Sequence, residues 1–166
     1  MAHDRIRMKG RRDRRDTFTL LPHALQQCEN WRLASKPCRA LVADLASQYN
    51  GRNNGALCGS RTALKRQGWT IPEQLRDRLA EACYYGFLLQ THQGGLGLGS
   101  NRYALGWQKI DACDGKLDDP SLVGTTPGRW KVPREKYRKP IKNKSPVRFP
   151  NRAGTVSEQV RLAVGT

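Results

Sequence analysis

Ser60-Arg61-Thr62-Ala63-Leu64-Lys65-Arg66-Gln67-Gly68-Trp69-Thr70-Ile71-Pro72-Glu73-Gln74-Leu75-Arg76-Asp77-Arg78-Leu79 is the stretch on which the fold turns. Ser60 is a good N-cap for a helix over 61–67, which sets Arg61, Lys65 and Arg66 beside the apolar Ala63 and Leu64. Gly68 stops it. Thr70-Ile71-Pro72-Glu73 has the capping-box spacing, predicting a further helix over 71–85. Ile71, Leu75, Leu79, Ala82 and Cys83 then share one side of that helix. Two helices joined at Gly68 in this way bury Leu64 and Trp69 against Leu75 and Leu79.

On the C-terminal side, Gly86 ends the helix and residues 87–92 read as a strand. Gly94-Gly95-Leu96-Gly97-Leu98-Gly99-Ser100 is a flexible connection, and 101–107 reads as the returning strand. Its alternating glycines lack the G-x-G-x-x-G spacing and precede a strand, so this is a hairpin tip rather than a phosphate-binding loop. On the N-terminal side, Phe18-Thr19-Leu20-Leu21-Pro22 is an extended entry, followed by a short helix over 23–28. Ser35 caps a helix through Gln48, with Pro37 in its first turn. Cys38, Leu41, Val42, Leu45 and Tyr49 recur along that helix at three- and four-residue steps. Asn50-Gly51-Arg52-Asn53-Asn54-Gly55 is a turn and Ala56-Leu57-Cys58 a short strand. This order predicts an α+β fold of the winged helix-turn-helix type, a three-helix core plus a β-hairpin wing, with disordered basic tails.

The charge distribution predicts the tails and the partner. The 166 residues carry 30 Lys/Arg against 14 Asp/Glu, a net charge of +16, and the pI is near 10.3. Residues 1–17 hold seven basic against three acidic residues, 18–115 eleven against seven, and 116–166 twelve against four. Three-quarters of the excess therefore flanks the segment that carries the apolar periodicity. Residues 1–17 are expected to be a disordered basic arm, with Arg11, Arg12, Arg14 and Arg15 as its densest patch. Residues 18–115 form the folded domain in this reading, and 116–166 a mostly disordered basic tail punctuated by Pro120, Pro127, Pro133, Pro140, Pro146 and Pro150. Such a balance calls for a polyanionic partner, with phosphate contacts from both flanks.

The opening Phe18-Thr19-Leu20-Leu21-Pro22 with Leu25, the Arg39-Ala40-Leu41 helix, the Tyr49-Asn50-Gly51 turn and the Gly86-Phe87-Leu88 helix exit resemble winged-helix domains of phage and plasmid replication proteins and of mobile-element transcription regulators. The likeness covers residues 18–107. It implies sequence-specific binding of double-stranded DNA, in transcription regulation or replication initiation of a phage, plasmid or other mobile element. It also implies base contact by Gln74, Arg76 and Arg78, and phosphate contact by Arg61, Lys65 and Arg66. The wing would bring Asn101 and Arg102 to the backbone or minor groove. On the wheel of the third helix, Glu73 and Asp77 lie opposite the Leu75–Leu79 stripe, where carboxylates near phosphates weaken binding. The alternative is an RNA- or ribosome-associated basic protein whose domain is a protein-contact scaffold.

Other classes find little support. No Ser/His/Asp set, paired carboxylates or phosphate loop stands out, so no enzymatic activity and no cofactor are expected. Cys28, Cys38, Cys58, Cys83 and Cys113 include no C-x-x-C, and His3, His23 and His92 are not paired at ligand spacing, so no metal site is expected. The longest apolar run, 83–89, is too short for a membrane span, and the N-terminus lacks an apolar signal core. The expected location is the cytoplasm, on the nucleoid. Thr155-Val156-Ser157-Glu158 repeats the capping-box spacing, and a short helix there would form on a protein partner. No heptad is visible, which leaves a homodimer open.

Overall fold

The computed structural model describes residues 18–140. Five helices and a three-stranded antiparallel sheet make an α+β fold. The chain runs α1 (His23–Gln27), α2 (Glu29–Leu33), α3 (Lys36–Ala46), β1 (Leu57–Cys58), α4 (Arg61–Leu64), α5 (Pro72–Tyr84), β2 (Leu88–His92) and β3 (Arg102–Leu105). A 3₁₀ turn at Lys65–Gln67 extends α4, and further 3₁₀ turns lie at Cys113–Gly115, Pro120–Leu122 and Arg129–Lys131.

Local signals place most of these elements. Ser35 Oγ accepts from the Cys38 N–H and Ser60 Oγ from the Ala63 N–H, so both serines cap their helices. Gly68 adopts the left-handed conformation (φ 94°) that ends the turn after α4, which a side chain would strain. The capping box at Thr70 does not form: the N-cap of α5 is Ile71, without a side-chain cap bond. Pro72 takes the first helical position and forces Ile71 to be extended, which leaves Thr70 one residue too early. Residues 29–33, for which no helix was expected, form α2, and α3 ends at Ala46 rather than Gln48.

The sheet order is β1-β3-β2, with Leu57 opposite Tyr103 and Leu88 opposite Leu105. Successive strand residues face opposite sides. Tyr103, Leu105 and Leu88 join the main core with Leu41, Leu45, Leu64, Leu75 and Leu79. Ala104 and Leu89 face the other way, onto a second cluster built by Ile110, Cys113 and Leu117. The sheet is thus covered by helices on one face and by residues 110–122 on the other.

The second cluster corrects the expected tail. The packed chain continues past 115 to 140. Leu117 and Trp130 are buried, and Asn30 fastens the segment after Trp130. Asn30 Nδ2 donates to the carbonyls of Trp130 (2.9 Å) and Val132 (2.8 Å), while its Oδ1 accepts from the Arg134 N–H (2.9 Å). Prolines 120, 127 and 133 keep the segment out of α-helix and central strand, but backbone bonds such as Asp118 N–H to the Thr91 carbonyl and Gly124 N–H to the Ile110 carbonyl, together with Asn30, satisfy it instead. The arm 1–17, with Arg11, Arg12, Arg14 and Arg15, and the segment 141–166 lie outside the described residues. No helix among the described residues is long and apolar enough to cross a membrane.

Candidate nucleic-acid interface

The two helices around Gly68 and the β2–β3 hairpin enclose a cleft of about 380 Å³. Leu75, Leu79, Cys83 and Tyr103 line it, with Arg61, Arg76, Gln90 and Asn101 as its polar groups. Burial pushes both the Cys83 thiol and the Tyr103 phenol up to about 12, so these groups are neutral at physiological pH. The charge of the cleft is therefore that of its two arginines. Arg61 is exposed at the start of α4, and its Nη1 donates to the Thr70 carbonyl at 3.4 Å, which ties α4 to the approach of α5. Lys65 and Arg66 are exposed on the adjoining 3₁₀ turn. Among the described residues none of Arg61, Lys65, Arg66 and Arg76 has a carboxylate partner.

The expected base contacts separate. Gln74 and Arg76 are both exposed. Two helical steps set them about 160° apart around α5, so Arg76 faces the cleft while Gln74 lies on the opposite flank. Arg78 does not join them. Its Nη1 donates to Glu81 Oε2 at 2.6 Å and to Ser35 Oγ at 2.9 Å. Glu81 is buried and also accepts from the Ser35 N–H and Oγ–H at 2.8 Å each. Arg78 is thus the counter-ion of a buried carboxylate beside the start of α3.

The wing residues also differ from expectation. Asn101 lines the cleft, but its Oδ1 accepts from the Gly94 N–H at 2.8 Å and braces the hairpin. Arg102 lies beside Tyr103 on β3 and so points away from the cleft, toward the side of the second cluster. The tip carries no cation; Leu96 and Leu98 stand out into solvent there. His92 and Asp118 clamp its base: His92 Nδ1 lies 2.6 Å from Asp118 Oδ1 and Nε2 lies 3.0 Å from the Leu98 carbonyl. The Gln93 N–H donates to Asp118 Oδ2 at 2.7 Å.

The outermost face of α5 is occupied by the chain itself. Residues 134–140 run across it as a strap without regular secondary structure. The Tyr137 N–H donates to Tyr85 Oη at 2.9 Å, and the Tyr137 ring lies 5.4 Å from that of Tyr84. The Lys139 ammonium lies 2.6 Å from Asp77 and 3.7 Å from Glu73. Hydrogen bonding to Asp77, and then the charges of both carboxylates, hold that ammonium above its usual range. Lys139 thus offsets one of the two negative charges opposite the Leu75–Leu79 stripe. Sequence reasoning missed the strap, whose residues 136–139, Lys-Tyr-Arg-Lys, show no apolar alternation.

No family model, curated protein or solved structure matches the chain.

Proposed function

We propose that the protein binds double-stranded DNA through a winged helix-turn-helix surface. The observation that carries this reading is the pair Arg61 and Arg76, which line a cleft between α5 and a hairpin and have no carboxylate partner among the described residues, with Lys65 and Arg66 exposed on the adjoining turn. A phosphate strand passing between helix and hairpin would meet Arg61 beside a neutral floor, with Arg76 on the same cleft turned to the bases. The β1-β3-β2 order, with a long connection between β2 and β3, supports the winged form of the fold. Arg76, and Gln74 from the other flank, are the side chains proposed to reach base edges, with Lys65 and Arg66 positioning α4 on phosphate. Transcription regulation or replication initiation on a mobile element is the role proposed for that activity.

Selection from a random duplex pool, followed by anisotropy titrations, tests it. A recovered motif should be bound more tightly than random duplex. Arg76→Ala should reduce that preference by ~1–3 kcal/mol, the worth of one base contact. Structured RNA that outcompetes duplex DNA at equal salt would replace this reading by that of an RNA-associated protein.

A further inference from the structure

The strap over α5 changes which atoms can meet a duplex. Tyr137 and Lys139 point inward: the first packs on Tyr84 and Tyr85, the second pairs with Asp77 and Glu73. Lys136 and Arg138 are the intervening residues, both exposed, and neither has an ion-pair partner among the described residues. The strap is held along its length, from Asn30 on the Arg134 N–H to Asp77 on Lys139. Its two unpaired cations are therefore carried on a tethered segment, Lys136 at the rim of the groove that the strap forms with Arg78, Glu81 and Tyr85, and Arg138 exposed beside it.

We infer that the strap is the duplex-contacting surface over the centre of α5, with Lys136 and Arg138 on backbone phosphates. The inference rests on the DNA-binding reading and deepens it. The strap stands between the outer face of α5 and any ligand approaching it. Displacing it would bare Asp77 toward phosphate, take the Lys139 charge away from both Asp77 and the exposed Glu73, and break the contacts of Tyr137. Keeping it leaves Asp77 covered by Lys139 and adds the exposed Lys136 and Arg138 to that side of the helix. The second course is favoured by charge alone. On this arrangement α5 reads DNA only from its flanks, through Gln74 and Arg76, while the strap sets its distance from the duplex.

The test is the salt dependence of duplex binding by the full chain and by Lys136→Ala/Arg138→Ala. Losing two phosphate contacts should lower the log–log salt slope by about 1.8. The affinity ratio of wild type to variant should then shrink about twelvefold between 50 and 200 mM salt. Arg52→Ala/Lys109→Ala removes the same charge from exposed positions elsewhere and should leave the slope near that of wild type. A wild-type slope retained by the strap variant, or an equal fall in the control, would overturn the assignment while the DNA-binding reading stands. A wild-type chain that does not bind duplex at all would remove both.

Discussion

The side chain of Asn54 pairs with the backbone of Leu105 as a neighbouring strand residue would. The Leu105 N–H donates to Asn54 Oδ1 at 2.6 Å, and Asn54 Nδ2 faces the Leu105 carbonyl at 3.3 Å. The same Nδ2 reaches the carbonyls of Gln108 (3.1 Å) and Lys109 (3.0 Å), and Asn54 is wholly buried. One amide thus joins the turn before β1 to the chain leaving β3, and so fixes the hairpin relative to the helices. Asn54→Ala should destabilise the fold by about 3 kcal/mol in urea unfolding, because it strands a buried N–H and buried carbonyls. Asn54→Asp should be worse, since it turns a carboxylate oxygen toward those carbonyls. A loss under about 1 kcal/mol for the alanine variant would show that the amide is dispensable.

Asn30 performs the same service for the strap. Asn30→Ala removes its bonds to Trp130, Val132 and Arg134 while leaving the α3–α5 core intact. Local opening of residues 130–140 should then be easier, and trypsin should cleave after Lys131 and Arg134 about tenfold faster or more. Unchanged cleavage there would mean that Trp130 and Tyr137 hold the strap without Asn30.

These two asparagines also explain which parts of the fold could be read in advance. α3 and α4 were legible because their signals are local: a capping serine, three- and four-residue apolar spacing, a stopping glycine. The hairpin was legible from its alternation and its glycine tip. The strap was not, because nothing within 116–140 has regular periodicity over more than a few residues. Its order comes from a side chain a hundred positions earlier. At the interface, Arg61, Lys65, Arg66 and Arg76 are exposed as expected, whereas Arg78 and Arg102 turn elsewhere. A helical wheel gives the angle of Arg78 on α5 but not the buried Glu81 and Ser35 it meets. Strand parity could have assigned Arg102, given that Tyr103 faces the helices.

The clamp at the base of the β2–β3 hairpin should respond to pH. The Leu98 carbonyl and then the Asp118 carboxylate, one at each ring nitrogen of His92, raise its pKa above 6.5, because only the imidazolium can donate to both. The Gln93 N–H and then His92 lower that of Asp118 below 3.8. The histidine contribution is thus complete below its ordinary pKa and fades as pH rises through the elevated one. The aspartate contribution is complete above its ordinary pKa and fades as pH falls through the lowered one. The clamp is complete between about pH 4 and 6.5. An NMR titration should place the His92 midpoint above 6.5, and Asp118→Asn should move it back down. A midpoint unaffected by that substitution would argue that the Leu98 carbonyl acts alone.

The cysteines should divide by reactivity. Burial raises the pKa of Cys38 first, and that of Cys83 to about 12. Burial also acts on Cys58, but the hydroxyls of Ser100 (3.1 Å) and Ser60 (3.3 Å) and the charge of Arg102 outweigh it and lower its pKa. Cys58 is half-buried beside the wing. Iodoacetamide at pH 7.5 should therefore modify Cys58 well before Cys38 or Cys83, with the difference read by peptide mass mapping. Ser100→Ala should slow the Cys58 reaction. Alkylation of Cys38 at a comparable rate would indicate that α3 opens in solution.

Arg78 and Arg76 should part company under mutation, although they are two residues apart on one helix. Arg78→Ala leaves Glu81 buried with only the Ser35 N–H and hydroxyl as donors, so the fold should lose about 2 kcal/mol. The preference for the selected motif over random duplex should not change, since Arg78 points toward α3. Arg76→Ala should do the reverse: little change in unfolding free energy, because the side chain is exposed, and a loss of discrimination. Arg78→Lys keeps the charge but supplies fewer donors in a different shape, and should recover part of the stability. If Arg78→Ala instead abolished motif preference at unchanged stability, Arg78 would have to leave Glu81 when DNA binds, and the buried network at the start of α3 would be the element that senses the duplex.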